Sequence, residues 1–204
     1  MSDGYLNKVY AARNASETRA LYDAWSASYE TELAKNGYVT PSRCAAALAD
    51  VQTDRSLPIL DFGCGTGLGG LALKLAGFEV IDGVDLSAEM IAQAAGKNVY
   101  RTLTQIEPDA PLGFTPGTYA TIAAIGVIGA GAAPLALFDT LMHGLAPGGI
   151  FLFSFNDHTL EDPAFEARIS EWTDCGAASL LFREHGDHVP GIGLKAAVYV
   201  LEKR

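Results

Sequence analysis

The chain has 204 residues, of which 49% are apolar and 19% are charged. This length suits one globular domain with a substantial core, and the composition excludes a disordered chain. The formal net charge of −10 disfavours nucleic acid as a partner, because contacts to phosphate need a basic surface. Cys44, Cys64 and Cys175 lack paired spacing, so we expect neither a disulfide framework nor a metal site.

Two helices are predicted near the start of the chain. Ser16 is the expected cap of the first, in which Tyr22, Trp25 and Tyr29 fall at helical spacing on one face. Thr40, which precedes a proline, predicts the start of a second helix that continues to about residue 51. The aromatic face is most simply a packing surface, but it also precedes the strand on which a ligand would sit.

Residues 58–75 have the order of a strand, a tight glycine turn and a helix. The apolar strand ends in the acid Asp61, and Gly63, Gly65 and Gly67 alternate directly after it. Glycine permits the backbone angles that such a turn needs, and it lets a ligand approach the main chain closely. This order is typical of the first unit of a nucleotide-binding α/β sheet.

A second strand is predicted at residues 79–85. It ends in Asp85, which lies 24 residues after Asp61. A carboxylate at the tip of a second strand can accept hydrogen bonds from both hydroxyls of a ribose. The alternative is an ordinary acid in a surface turn. Ser87 is the expected cap of a helix that runs to about residue 95.

The remaining strands follow in the second half of the chain. We predict strands at residues 99–103, 119–125 and 150–155. A helix from Pro134 ends at a Pro-Gly-Gly turn before the last of these strands. After a helix at residues 163–172, two alternating segments, 178–184 and 194–201, predict a closing antiparallel hairpin with His185 and His188 in its loop.

The location of the protein is predicted from two stretches. Residues 110–138 carry no charge, but glycines and prolines interrupt them, so we predict a buried strand and loop rather than a membrane span. The first residues lack a basic segment followed by an apolar one. We therefore expect a cytoplasmic protein that has no membrane partner.

The spacing Asp-x-Gly-x-Gly-x-Gly at residues 61–67 resembles the first motif of the class I S-adenosylmethionine (SAM) methyltransferases. Asp85-Leu86-Ser87 resembles their second motif, and residues 22–30 are similar to a segment at the front of ubiquinone-biosynthesis-type and Williams–Beuren-region methyltransferase-like enzymes. The resemblance implies an α/β, Rossmann-like class I methyltransferase fold in one domain, residues 1–204. This fold is a seven-stranded, mostly parallel sheet with a C-terminal antiparallel hairpin. An N-terminal helical lid, residues 1–52, would cover a SAM-binding core, residues 57–204.

The resemblance also implies SAM-dependent methyl transfer, with S-adenosylhomocysteine as product. Asp61 and the glycine turn would hold the amino-acid part of SAM, Asp85 the ribose, and Leu86 with either Thr104 or Gln105 the adenine. The implied cofactor-binding residues are Asp61, Gly63, Cys64, Gly65, Gly67, Asp85, Leu86, Gln105 and Gly126. The implied lid and substrate residues are Tyr22, Trp25, Tyr29 and Asn156.

A catalytic base is not required by this chemistry, because the methyl group of SAM is already activated and the protein supplies mainly alignment. If the acceptor needs deprotonation, His158 or Asp157, after the fifth strand, is the candidate base. The alternative for these residues is a turn that starts the next helix. We expect a small-molecule acceptor, no metal, and a monomer or homodimer.

Two other functions fit parts of the sequence. Residues 65–70 also match Gly-x-Gly-x-x-Gly, which is typical of NAD(P)-dependent oxidoreductases. Asp61 disfavours that interpretation, because its carboxylate would repel a pyrophosphate at close range. A non-catalytic SAM-binding protein, with Tyr22 and Trp25 filling the acceptor pocket, is the second alternative.

Overall fold

A computed structural model describes residues 15–108, 112–129 and 131–204 of the chain. The strands are β1 (Ile59–Phe62), β2 (Ile81–Asp85), β3 (Thr102–Gln105), β4 (Thr121–Ala124), β5 (Ile150–Asn156), β6 (Ala178–Val189) and β7 (Leu194–Lys203). The helices are α1 (Ala15–Lys35), α2 (Thr40–Val51), α3 (Leu68–Leu75), α4 (Ala88–Gly96), α5 (Ala136–Gly144), α6 (Asp157–Leu160) and α7 (Ala164–Asp174).

The strands form one sheet in the order β3-β2-β1-β4-β5-β7-β6. The first five are parallel, whereas β7 is antiparallel to both of its neighbours, β5 and β6. The chain runs outward from β1 to β3 and then returns to β4 on the other side of β1. This reversal opens a crevice beside the carboxyl end of β1, where ligands bind in open α/β sheets. The predicted seven-stranded, mostly parallel sheet with its closing hairpin is confirmed.

The sheet is covered on both faces, and β5 shows how its sequence divides between them. Phe151, Phe153 and Phe155 are buried in the cluster formed with α5 and α7, whereas Leu152 belongs to the cluster formed with α2 and α3. The alternation follows from the two-residue repeat of a strand. The Phe153 ring stacks on Tyr199 of β7, with ring centroids 5.0 Å apart. A continuous apolar run is typical of a strand that is buried on both faces.

The hairpin prediction was wrong in its bounds. His185 and His188 lie in β6, which continues to Val189, rather than in a loop. Alternation does not reveal this part of the strand because it lies at the edge of the sheet, where polar side chains find partners across the surface. His188 Nδ1 lies 2.7 Å from Thr40 Oγ1, and burial lowers the pKa of His188 to about 4. Thr40 is therefore the buried first residue of α2, and the residue that caps this helix is Val39.

Two other boundaries differ from the prediction. Helix α1 begins at Ala15, so Ser16 lies within its first turn instead of preceding it. Strand β3 begins at Thr102, although the apolar pattern predicted residues 99–103. Pairing of β3 with β2 starts at Thr102, and Tyr100, which lies before it, donates from its hydroxyl to Asp61 of β1.

We predict that Phe153→Ala lowers the free energy of unfolding by about 3–5 kcal/mol, because it leaves a cavity between β5, β7 and α5. Urea denaturation of the purified protein measures the effect. Leu75→Ala is the matched control, since the Leu75 side chain is 80% exposed. A loss of stability at Phe153 no larger than that at Leu75 would contradict the packing described for β5.

Candidate functional site

The glycine turn lies between β1 and α3, at the point where the strand order reverses. Gly63 and Gly65 both have positive φ angles, of 69° and 54°. The Gly63 amide donates to the carbonyl oxygen of Val84 at 2.8 Å, which ties the turn to β2. A side chain at Gly63 would meet Val127 at 2.6 Å, but one at Gly65 would enter open space. The turn is therefore packed on one side and open to a ligand at Gly65.

Asp61 is buried beneath this turn, with 2% of its surface exposed. Its Oδ2 accepts a hydrogen bond from the Tyr100 hydroxyl at 2.7 Å. Burial raises the pKa of Asp61 to about 7, against the effect of the Tyr100 hydrogen bond, and the nearby Asp85 carboxylate raises it further. Burial and the charge of Asp61 also raise the pKa of Tyr100, which stays protonated and donates.

Asp85 ends β2 on the other side of the turn. Its Oδ2 accepts from the Gly65 amide at 2.8 Å, and its Oδ1 accepts from the Ser87 amide at 2.9 Å. Burial raises the pKa of Asp85, while these hydrogen bonds act in the opposite direction. Ser87 caps α4, as predicted, because its hydroxyl accepts from the Met90 amide. Asp85 thus orders the turn through Gly65.

A cleft of about 330 Å³, including its open mouth, lies above β1. The described residues that line it are Tyr29, Tyr38, Pro41, Asp61, Gly63, Cys64, Gly65, Thr66, Leu68, Gly69 and Ile125. Four of the predicted cofactor residues therefore share one lining: Asp61, Gly63, Cys64 and Gly65. Of the predicted lid and substrate residues whose side chains the structure describes, Trp25, Tyr29 and Asn156, only Tyr29 belongs to it.

Helix α1 lies across the carboxyl ends of β2 and β3. Arg19 donates to the Leu86 carbonyl oxygen at 2.7 Å and pairs with Glu107 at 3.1 Å. Asp23 accepts from the Ser87 hydroxyl. The predicted lid therefore contacts the second motif directly.

The aromatic residues of α1 differ in what the structure describes. Trp25 is 2% exposed, and its ring meets Tyr29 edge to face with centroids 4.7 Å apart. Tyr22 lies in the same helix, but its side chain is outside the described residues. Trp25 is accordingly a buried packing residue, and Tyr29 is the residue that presents an aromatic ring to the cleft.

Gln105 and Leu86, predicted at the adenine, contact each other. The Gln105 amide donates to the Leu86 carbonyl oxygen at 3.0 Å, next to the guanidinium of Arg19. Gly67, the third glycine of the turn, packs against Ala94 of α4 and is absent from the cleft lining among the described residues. The roles of Gln105, Leu86 and Gly67 toward a cofactor stay predictions.

Gly126 follows β4, directly after Ile125 of the cleft lining. Its amide donates to Ser154 Oγ at 3.0 Å, and a Cβ at this position would lie 3.4 Å from the Tyr38 hydroxyl. Tyr38 lines the cleft. That distance is an ordinary contact, so glycine is favoured here by its φ angle of 71° and not by lack of space. The predicted role of Gly126 near the reacting groups stays a prediction.

The candidate bases after β5 have other partners. Asn156 caps α6 by accepting from the Thr159 amide at 2.9 Å. Asp157 accepts from His185 Nε2 at 2.8 Å and from the Lys195 amide at 3.1 Å. Burial raises the pKa of Asp157, but these hydrogen bonds and the neighbouring charges together outweigh burial and leave the pKa below its usual range. His158 is 46% exposed and pairs with Glu161. Within the described residues, none of these three side chains lines the cleft. The roles of His158 and Asp157 as bases, and of Asn156 as a substrate residue, therefore stay predictions without geometric support.

Thr66 belongs to the glycine turn that was predicted to hold the amino-acid part of SAM, although it was not singled out. It is 1% exposed and lines the cleft, yet its hydroxyl has no hydrogen-bond partner among the described residues. Tyr38, Ile125 and Tyr100 were missed at the sequence level. Tyr38 and Ile125 come from segments far apart in the chain, and Tyr100 lies before β3. No local motif marks them. The Gly69-Gly70 pair at the start of α3 is the one local feature that indicates a close approach of other side chains to this helix.

The lining fits an amino-acid group. The buried Asp61 carboxylate complements an ammonium group, and the Thr66 hydroxyl is a donor for which a bound carboxylate would supply the missing acceptor. Gly65 leaves room beside both. Among the described residues, no cluster of histidine, cysteine, aspartate or glutamate could hold a metal ion. No helix in the same ranges is long and apolar enough to cross a membrane.

The reversed strand order, the open glycine turn and the acids at the tips of β1 and β2 define a class I methyltransferase fold and site. A family profile described as a methyltransferase domain matches residues 36–197, and the chain belongs to this family. The human methyltransferase-like protein 27 is 31% identical over 132 residues, which are 63% of this chain and 54% of that protein. This chain therefore spans about half the length of that relative.

Solved structures show the same fold at low identity. The magnesium protoporphyrin IX methyltransferase of Synechocystis, solved with bound SAM, is 16% identical over 98% of this chain and 90% of that chain, with a TM-score of 0.57. A putative RNA methyltransferase of Pyrococcus horikoshii is 12% identical over 80% of this chain and 82% of that chain, with a TM-score of 0.62. The assignment to the class I SAM-dependent methyltransferases is confirmed, and SAM is the cofactor of this family.

We predict that the stability of Asp61→Asn relative to the wild type increases as the pH rises. The folded pKa of about 7 lies above the unfolded value, so the folded state binds this proton more tightly and its stability falls between about pH 4 and pH 7. Asparagine does not titrate, so its advantage should grow by ~1–3 kcal/mol between about pH 5 and pH 8. Urea denaturation at both pH values measures the difference.

The matched control for Asp61→Asn is Asp82→Asn. Burial raises the pKa of Asp82, but hydrogen bonds led by that from Arg101 outweigh it and lower the pKa. Asp82 is therefore ionised in both folded and unfolded states above about pH 5, and its substitution should cost the same stability at both pH values. An Asp61→Asn effect equally independent of pH would contradict the burial of an ionisable group without a cation.

Proposed function

We propose that this protein transfers the methyl group of SAM to a small-molecule acceptor. The observation that carries the proposal is the pair of carboxylates, Asp61 and Asp85, on either side of an open glycine turn at the strand reversal. Asp61 would hold the ammonium group of the cofactor, and Thr66 would hold its carboxylate. Asp85 would accept from the ribose hydroxyls with the lone pairs that Gly65 and Ser87 leave free.

The bound cofactor supplies a methyl group that is already activated on a sulfonium. The chain's own contribution is to bind, orient and exclude water, because displacement at an activated methyl needs alignment above all. Tyr29 lies over the cleft and can face a cationic sulfonium with its ring. Tyr38 and Ile125 line the end of the cleft near Gly126, where the acceptor would lie.

The charge of the site supports a small-molecule acceptor over RNA. The chain carries a net charge of −10. Lys97 contacts the turn at the Thr66 carbonyl oxygen and pairs with Glu30 of α1, and Arg19 of α1 pairs with Glu107. Phosphate contacts need cations that carboxylates have not neutralised. An NAD(P) enzyme is disfavoured for a related reason, because Asp61 would face the pyrophosphate.

We predict that S-adenosylhomocysteine binds the wild type with micromolar affinity and that Asp85→Asn weakens binding at least tenfold, ~1.4 kcal/mol. The substitution keeps the shape of the side chain but removes an acceptor and a charge. Glu89→Gln is the matched control, since it removes the same charge four residues away on the surface of α4. Isothermal titration calorimetry measures the affinity of all three proteins for S-adenosylhomocysteine and, in separate titrations, for NADH.

The outcomes separate the alternatives. Binding of NADH without S-adenosylhomocysteine would reject methyl transfer in favour of a dinucleotide enzyme. For the acceptor, the protein is incubated with a cell extract and SAM labelled at the methyl group. Label in the small-molecule fraction is expected. Label confined to RNA would overturn the proposed acceptor class, and cofactor binding without transfer to any fraction would favour a non-catalytic binding protein.

A further inference from the structure

A tyrosine from outside the motifs reaches the carboxylate at the centre of the site. Tyr100 precedes β3, yet its hydroxyl donates to Asp61 Oδ2 at 2.7 Å and accepts from the Gly70 amide at 3.1 Å. The Tyr100 hydroxyl is thus held by one hydrogen bond that it donates and one that it accepts. It joins the tip of β1 to the first turn of α3, directly below the glycine turn.

The sequence of α3 is adapted to this contact. A Cβ at Gly70 would lie 2.3 Å from the Tyr100 hydroxyl oxygen, and a Cβ at Gly69 would lie 3.0 Å from Asp61 Oδ2. Two glycines in succession are unfavourable inside a helix of eight residues. Glycine occurs at these two positions because the side chains of Tyr100 and Asp61 occupy the space that a Cβ would need.

Among the described residues, Tyr100 is the one side chain that donates a hydrogen bond to Asp61, and its phenol is neutral. The other ionisable groups around Asp61 are a carboxylate and two thiols. Asp85 approaches from β2, Cys64 from the glycine turn and Cys44 from α2. Burial raises the pKa of both thiols, which therefore carry no charge. No ion pair joins Asp61 to a cation in the described ranges. Two hydrogen bonds favour the ionised form of Asp61, a larger contribution from the Tyr100 hydroxyl and a smaller one from the Gly70 amide. Without the phenol, the carboxylate would lose the larger of the two.

We propose that Tyr100 is a positioning residue that holds the Asp61 carboxylate, in its ionised form, for the ammonium group of bound SAM. The inference rests on the proposed function, because it assigns the amino-acid end of the cofactor to Asp61. Tyr100 does not contact the reacting atoms. It acts through Asp61, and its loss changes the pH range in which the cofactor binds.

The test is the affinity of Tyr100→Phe for S-adenosylhomocysteine between about pH 6 and pH 7.5, below the pKa of the ligand's amine. Wild-type affinity should rise across this range as Asp61 ionises. In Tyr100→Phe the affinity near pH 7 should fall at least tenfold, and the rise should move to higher pH, because the ionised form has lost its donor. Binding of 5′-methylthioadenosine, which lacks the amino-acid group, should not change.

Tyr119→Phe is the matched control variant. The Tyr119 hydroxyl donates to Asp82 Oδ2 at 3.0 Å, so the same type of bond is removed from the same sheet, away from the described cleft lining. It should leave the affinity and pH profile unchanged. If Tyr100→Phe does not fold, as judged by circular dichroism, Gly70→Ala provides a second variant. Its Cβ would push the phenol off Asp61 and should cause the same pH shift.

Each outcome has one meaning. A wild type that does not bind S-adenosylhomocysteine overturns the proposed function itself. A wild type that binds, together with an unchanged pH profile in Tyr100→Phe or Gly70→Ala, overturns only the role of Tyr100. An equal loss for both ligands at every pH would assign Tyr100 a purely structural role and would likewise overturn the inference.

Discussion

A carboxylate buried without a cation is the constraint on which the carboxyl edge of this sheet depends. Asp61 is as buried as its apolar neighbours in β1, and an isolated buried charge costs several kcal/mol. Asp82 is also buried, but there Arg101 supplies a positive charge and a hydrogen bond, and Tyr119 donates a second hydrogen bond. Among the described residues, Asp61 has only neutral donors, and burial raises its pKa. Acids whose pKa is shifted in this way are typical of functional sites.

The topology explains why this carboxylate and the turn are found together. Strand β1 lies inside the sheet, so its last residues are enclosed by β2 and β4, and the reversal of strand order leaves the crevice directly above them. Asp85 belongs to the same unit, because it binds the Gly65 amide and so fixes the conformation of the turn. A ligand that contacts Asp85 would therefore also contact the turn that directly follows Asp61.

Helix α1 is attached to this site in a different way from the other helices. Helices α2, α3 and α5 pack apolar faces on the sheet, whereas α1 combines the buried Trp25 and Leu33 with ion pairs and hydrogen bonds of Arg19, Asp23 and Glu30. Partly exposed pairs of this kind contribute little free energy each. Burial of Trp25 and Leu33 therefore contributes more to the attachment of α1 than any one of these pairs does.

The parts of the fold and site that the sequence predicted are those whose contacts are local. Asp61, the glycines and Asp85 follow from spacing within two strand–turn units, and β5 from its apolar run. The polar end of β6 could not be predicted, because its partners lie on α2. Tyr100 was missed because it meets Asp61 across 39 positions of sequence. The Gly69-Gly70 pair is the local sign of that contact, because glycines disfavour a helix but leave space for the side chains of Tyr100 and Asp61.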